Sequence, residues 1–340
     1  MGEIRKDYFT DRLVLIKHSE AFEIEKSLKE CPYCPGHETM TLPAEFVLVQ
    51  REGTLIKLAD TEEEIIKDWC VRVFPEKFPT VSLDTAITYS DDPLYREPAY
   101  GYHYVVVATP RHDEFLSRMS LDQWVNVLSA VQDRARWLYS QKNVSYVSIF
   151  ANHGKEAGAL VDHPHLQIVT LPRLPPIIEQ EASKVQKSIN ELGICPMCNI
   201  LRIESGGPRQ ILATNYFISF CPWAPLYAFE YWIFPKKHQT SILRITQKEI
   251  KDLALILRST LGGLANILNE PSYSMVFHIS SEKKTAKQIH WHIEIYPRLK
   301  KLSGFEIGTN AYINQFSPEH TAELLGSASR KELAKLVGIS

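Results

Sequence analysis

Apolar runs and amphipathic stretches alternate along the chain, and they do so twice in the same order. Tyr102 to Ala108 is an aromatic and β-branched run ended by Thr109-Pro110, which predicts a strand; Phe229 to Phe234, ended by Pro235, is its counterpart. Each run leads to a basic residue and a histidine, Arg111-His112 in one and Lys237-His238 in the other. An apolar stripe at helical spacing then opens at Ser120 and at Thr246, residue types that cap helix N-termini, and runs to Tyr139 and Leu268. Another strand follows, Val144 to Phe150 and Tyr273 to His278, then a polar loop and a strand carrying two histidines two residues apart. Between the copies, Leu171-Pro-Arg-Leu-Pro-Pro176 breaks regular structure, and Ile177 to Leu192 reads as a connecting helix. The expected division is residues 1–180 and 181–340, with a closing helix from Ser317 to Leu325. These units predict an α+β fold in which both halves add strands to one mixed, mainly antiparallel sheet flanked by helices.

Composition narrows the picture. A chain of 340 residues with 44% hydrophobic content can bury a core, and a net charge of −2 supplies no field for nucleic acid. The N-terminus has no apolar segment with a cleavage site and no run long enough to span a membrane, so a soluble cytoplasmic protein is expected. Four of the six cysteines fall in Cys-x-x-Cys pairs, which in that compartment points to metal or redox chemistry; Cys70 and Cys221 read as ordinary buried thiols.

The candidate chemistry repeats with the elements. The order is Cys31, Cys34, His112, His163/His165 in the first copy and Cys195, Cys198, His238, His290/His292 in the second. From lone to paired histidine the gap is 51 residues (112 to 163) and then 52 (238 to 290). Two cysteines two residues apart reach one ion from a tight turn, and zinc takes four tetrahedral thiolate and imidazole ligands. Histidines at i and i+2 on a strand share a face, so the first of each pair can bind metal while the second meets substrate. The expected ligands are Cys31, Cys34, His112, His163 and Cys195, Cys198, His238, His290: two structural Zn²⁺ per chain. His37, His103, His153, His278 and His320 have no partner in the repeat and read as surface or satisfied core residues.

Asn152-His-Gly154-Lys-Glu-Ala-Gly158 is a glycine-containing loop feeding the strand of His163-Pro-His165-Leu-Gln167. Such a loop brings backbone N–H groups close to phosphate, and a histidine aligned with phosphorus can act as nucleophile.

At this point the chain resembles the galactose-1-phosphate uridylyltransferase branch of the histidine-triad superfamily. The resemblance runs from Asp11-Arg12-Leu13 through Gly304-Phe305-Glu306-Ile307-Gly308-Thr309. It is carried by Cys31-x-x-Cys34-Pro-Gly36, Arg72-Val-Phe74-x-x-x-Phe78-Pro79, Pro110-x-His112, His163-Pro-His165-x-Gln167 and His290-Trp-His292-x-Glu294-x-Tyr296-Pro297-Arg298. It implies tandem histidine-triad-like domains and a ping-pong transfer in which His165 takes a uridylyl group from a UDP-hexose and passes it to a hexose 1-phosphate, with galactose 1-phosphate as acceptor. Gln167 would hydrogen-bond the phosphoryl oxygens, and zinc-bound His163 would hold the strand that aims His165. Tyr33, Phe74, Phe78, Val105 and Asn152 would line the base and ribose pocket, with Gly158 on the phosphate loop. Glu306 and Asn310 would lie on the hexose side, in a segment supplied across a homodimer; the second copy, with His292 and Glu294, would be the non-catalytic half.

Three positions depart from the family pattern. Glu76 stands where an asparagine usually contacts nucleotide, Leu160 where a serine touches phosphate, and Asn310 where glycine is usual. The other enzyme these residues suit is an ADP-sugar or dinucleotide phosphorylase, in which phosphate accepts an adenylyl group from the same histidine. A reading from another class is a zinc-stabilised nucleotide sensor without turnover, against which the retention of His165 and Gln167 argues.

Overall fold

The computed structural model describes residues 2–17, 30–84, 89–284 and 288–339. The polar loop expected before the second histidine pair passes through residues 285–287, outside the described residues. The strands are β1 (Gly2–Lys6), β2 (Leu13–Lys17), β3 (Phe46–Arg51), β4 (Thr54–Leu58), β5 (Trp69–Pro75), β6 (Arg96–Pro98), β7 (His103–Val107), β8 (Tyr146–His153), β9 (His165–Leu171), β10 (Gln210–Ala213), β11 (Phe217–Phe220), β12 (Tyr231–Pro235), β13 (Tyr273–His278) and β14 (His292–Pro297). The helices are α1 (Leu121–Ser140), α2 (Pro176–Leu192), α3 (Pro196–Glu204), α4 (Gln247–Leu268), α5 (Gly304–Thr309) and α6 (Pro318–Leu336). Among the described residues no helix is long and apolar enough to cross a membrane.

Eleven strands form one sheet in the order β10-β11-β12-β14-β13-β8-β9-β7-β5-β3-β4, and β2-β1-β6 form a small second sheet. The α+β expectation holds, and every pairing between named strands is antiparallel, so the expected mixture of directions is absent there. The join is the β8–β13 ladder, where Phe150 faces Val276 and Asn152 faces Ser274.

Strand alternation sorts the side chains onto two faces. Val106, Leu166, Ile168, Ile149, Met275 and Ile293 turn to one face and form the main core with Trp124, Val127 and Val131 of α1 and Leu253, Leu257 and Leu261 of α4. The other face carries the chemistry: His165 lies across from Val107, and Gln167 across from Val105 and Phe150. The two long helices begin where expected. Ser120 accepts from the Gln123 N–H, and Thr246 forms a reciprocal capping box with Glu249.

Three expectations on element bounds are corrected. β12 starts at Tyr231, because Phe229 takes a positive φ of 62° that ends extended backbone. β8 runs on to His153, so Asn152 is a strand residue rather than part of the loop; the pairing that extends it comes from β13, far away in sequence. The closing helix runs to Leu336, well past Leu325. Gly326 does not stop it, because its lack of a side chain lets α6 sit against β10, where a Cβ would meet the Ile211 carbonyl oxygen at 3.1 Å.

Candidate active site

The first histidine pair straddles the start of β9. Pro164 cannot donate to a ladder, so the strand begins at His165 and His163 lies just outside it. The His165 Nδ1–H donates to the His163 carbonyl oxygen at 2.7 Å, which leaves the lone pair on Nε2. Burial lowers the pKa of His165, keeping that nitrogen unprotonated at neutral pH. Tyr33 sets its ring edge-on to His165 with centroids 5.2 Å apart and packs on Phe74 at 5.6 Å. Gln167 follows His165 on the same face, and the half-buried Glu76 lies within electrostatic reach of His165, His103 and Tyr33. A cleft beside this strand is lined by Asn152, His153, Gly154, Phe115, Asp162 and His165.

Immediately behind His165, Cys31, Cys34, His112 and His163 bring one ligand atom each within 4.8 Å of the others. The His163 Nε2–H donates to the Thr109 carbonyl oxygen at 2.7 Å, so Nδ1 presents its lone pair to the sulfurs, 3.7 Å from each. His112 Nδ1 lies 3.5 Å from Cys34 Sγ. Tetrahedral zinc with ordinary bond lengths sets sulfur and nitrogen ligands roughly 3.6 Å apart, so these side chains fit it. Burial and the Cys34 thiol push Cys31 up to about 11, and burial holds His163 down at about 4; a divalent cation would relieve the first and requires the second. Tyr33 sits between the two cysteines, so the same turn that gathers the sulfurs places the aromatic ring against His165.

The second copy repeats the ligands and fills the site. Cys195, Cys198, His238 and His290 gather as the first four do, with Cys198 Sγ 3.3 Å from His238 Nδ1 and 3.6 Å from His290 Nδ1. Where Val107 faces His165, the register of β12 and β14 brings Phe234 to His292, stacked at 4.4 Å with 11° between the rings. The Nε2 of His292 is tied to Glu294 at 3.1 Å. His278 lies directly across from His292, bonded to Glu181 of α2 at 2.8 Å and 3.4 Å from Glu294. Those four side chains form a third group able to hold a cation. His292 is thus buried and held on several sides, by Phe234, Glu294 and His278.

Of the substrate-pocket residues expected from sequence, Tyr33, Phe74 and Val105 are buried together in one cluster on the site face. Asn152 lines the cleft; the β8–β9 register, continued two residues along each strand, puts it across from His165. Gly158 caps the 3-10 turn that follows Gly154 with a φ of +80°. Phe78 is 69% exposed, and so stands outside that cluster. Glu306 is buried, its carboxylate accepting from the Ser303 N–H and hydroxyl as the cap of α5, and Asn310 ends α5 in a left-handed conformation. Leu160 is exposed on the loop.

Besides His153 in the cleft lining, two further histidines without partners in the repeat belong to side-chain clusters of this face. His278 is a core residue of the third group, and His103 hydrogen-bonds Gln167 at 2.9 Å. The neighbours of His103 and His278 come from other strands and from α2, and only the spacing of His103 two residues before Val105, on the same face of β7, was a signal in the sequence.

Comparison with known proteins agrees with this geometry. A family described as a domain of unknown function, DUF4921, matches residues 100–334. An ADP-glucose phosphorylase of Arabidopsis thaliana is 29% identical over 96% of this chain and 93% of its own length. A galactose-1-phosphate uridylyltransferase of Thermotoga maritima is likewise 29% identical, over 96% of this chain and 98% of its own. Among solved structures, a uridylyltransferase covers 97% of this chain and 99% of its own at 29% identity with a TM-score of 0.81. An Arabidopsis thaliana ADP-glucose phosphorylase with bound ADP-glucose covers 96% and 99% at 27% identity with a TM-score of 0.73. With that match over residues 100–334 the chain belongs to the DUF4921 family, and its likeness along nearly its whole length to uridylyltransferases and an ADP-glucose phosphorylase makes it a nucleotidyltransferase.

Proposed function

We propose that the chain is a UDP-glucose–hexose-1-phosphate uridylyltransferase with galactose 1-phosphate as acceptor, working through a covalent uridylyl-histidine at His165. In the first half-reaction Nε2 of His165 attacks the α-phosphorus, a P–N bond forms and the P–O bond to hexose 1-phosphate breaks. In the second, the phosphate of another hexose 1-phosphate attacks the same phosphorus and Nε2 recovers its lone pair. The group that leaves first and the group that attacks second are both sugar phosphates, so positioning and charge stabilisation carry the rate more than proton transfer. The observation that carries this reading is the bond from Nδ1 of His165 to the His163 carbonyl, which fixes the tautomer a nucleophile needs. Tyr33, Phe74, Val105 and Asn152 form the nucleotide side, Gly158 the phosphate loop, and Glu306 and Asn310 the hexose side.

Zinc, two ions per chain, is the metal we assign to the two Cys₂His₂ groups; four protein ligands leave no open position, so its contribution is to hold the Cys31–Cys34 turn and His163 in place. The reading places nucleophile and first metal group in a domain of residues 1–180, the inert copy in 181–340, and the enzyme as a cytoplasmic homodimer. The second reading is an ADP-sugar or dinucleotide phosphorylase, supported by an equal identity to the Arabidopsis thaliana phosphorylase. The deciding experiment pairs UDP-glucose and ADP-glucose as donors with galactose 1-phosphate and inorganic phosphate as acceptors. UDP-galactose as the fastest-formed product supports the first reading; ADP formed from ADP-glucose and phosphate at the higher kcat/KM overturns it in favour of the second.

A further inference from the structure

We propose that His103 is a positioning residue that fixes which way round the side-chain amide of Gln167 points. The two residues are diagonal neighbours on the site face, since Val105 faces Gln167 and His103 faces Val169. His103 Nε2 lies 2.9 Å from Gln167 Oε1, and its Nδ1 lies 3.2 Å from the backbone nitrogen of Thr80. A backbone N–H only donates, so Nδ1 must accept, and the single proton of the neutral ring is on Nε2. That N–H donates to Gln167, so the amide atom facing it is the oxygen and the NH₂ group is turned away. His103 lies toward the Val169 side of Gln167, and His165 lies on the opposite side along the strand, so the NH₂ group is left facing the nucleophile.

This inference rests on the nucleotidyl-transfer reading of the site and adds to it the source of the donors. An amide offering N–H groups stabilises the charge that develops on phosphoryl oxygens as phosphorus is attacked. The same amide turned over would offer a carbonyl lone pair to an anion. A glutamine alone has no means of choosing between these orientations; the chain Thr80 N–H, His103, Gln167 makes the choice. Burial of His103 favours the neutral ring that the chain requires, against the pull of Glu76 and with the push of Lys17. The second copy lacks the device: counting two residues back from Trp232, which faces Glu294, gives Glu230, whose carboxylate accepts from the Leu226 and Tyr227 N–H groups. Only the copy with the open nucleophile pairs a histidine with a glutamine.

The test combines kinetics with a direct reading of the tautomer. His103→Leu is expected to lower kcat for uridylyl transfer about a hundredfold, as loss of one preorganised donor does, with KM for UDP-glucose changed less than about threefold. His103→Gln, which keeps a donor toward Gln167, should recover at least about tenfold of that loss. Adding Gln167→Ala to His103→Leu should cost little more, because both variants remove one function. A kcat for His103→Leu within twofold of wild type, or losses that multiply in the double variant, would overturn the proposal. Independently, ¹⁵N-histidine spectra of the wild-type protein, assigned by difference with His103→Gln, should show His103 protonated at Nε2 and bare at Nδ1. The opposite tautomer or a charged ring refutes the proposal whatever the kinetics of the variants show. A protein with the expected tautomer but no nucleotidyl transfer would refute the functional reading instead, leaving the orientation of Gln167 established.

Discussion

At the scale of single residues, the site turns on two nitrogen atoms, Nδ1 of His163 and Nε2 of His165, whose roles are set by backbone carbonyls. His163 and His165 each give one N–H to a main-chain oxygen, and each thereby frees the other nitrogen for its task. His165→Gly or His165→Asn is therefore expected to lower turnover by at least about 10⁴-fold while metal analysis still returns two ions per chain; retention of activity would remove His165 as the nucleophile. Cys34→Ala should release one metal ion, because Cys34 Sγ is near both His112 and His163, and should lower activity as Tyr33 and His163 lose their anchor. Cys198→Ala should release the other ion with a smaller effect on turnover, measured on the same preparations. Ligand types and order were legible in the sequence, because Cys-x-x-Cys and paired histidines have few other uses in that spacing. The roles of His103 and His278 were not, since each depends on a neighbour from another strand or helix.

At the scale of elements, the long helices were legible because caps and apolar stripes are local signals. Ser120 and Thr246 stand where the structure puts the N-caps, and Thr246→Ala should cost about 1 kcal/mol in denaturant unfolding through loss of the capping box. What local signals missed was contact between elements. α6 overran its expected end because α4 and α6 meet through glycines: a Cβ at Gly263 would sit 2.6 Å from Ser329 Oγ and 2.8 Å from its backbone nitrogen. Gly263→Ala should cost about 1–3 kcal/mol, read as a lower urea midpoint at unchanged slope; an unchanged midpoint would mean that α6 does not press on α4 here. The extension of β8 through Asn152 has the same origin, a partner strand more than a hundred residues away.

At the scale of the whole molecule, duplication and divergence are visible as one antiparallel sheet with unequal ends. From β9 to β14 the step is three strands, or roughly 14 Å, and both histidine pairs share the sheet face. The second copy became a buried charge cluster that ties α2 to β13 and β14. Burial opposes a charged His278, yet Glu294 and Glu181 hold its pKa up at about 9; burial likewise opposes a charged Glu294, yet His278 and His292 hold it down at about 2. A raised histidine stabilises the fold fully below its unfolded pKa of 6.5, and that stability is lost as pH rises through about 9. A depressed carboxylate stabilises above its unfolded value of 4.5, and the gain is lost only as pH falls through about 2. Unfolding free energy is thus expected to fall by up to about 1.4 kcal/mol per pH unit between pH 6.5 and 9, and His278→Asn should flatten that slope in denaturant titrations. Equal slopes for both proteins would place the titrating group elsewhere.

Trapping a nucleotide bonded to His165 is the decisive test of its role as nucleophile. The protein is incubated with UDP-glucose labelled in the α-phosphate, with no acceptor, then denatured in alkali, digested and mapped. One acid-labile uridylyl group is expected on the peptide that carries His165, and none on the His165→Gly protein. No retained label from either UDP-glucose or ADP-glucose, or label retained equally by the His165→Gly protein, would contradict that role.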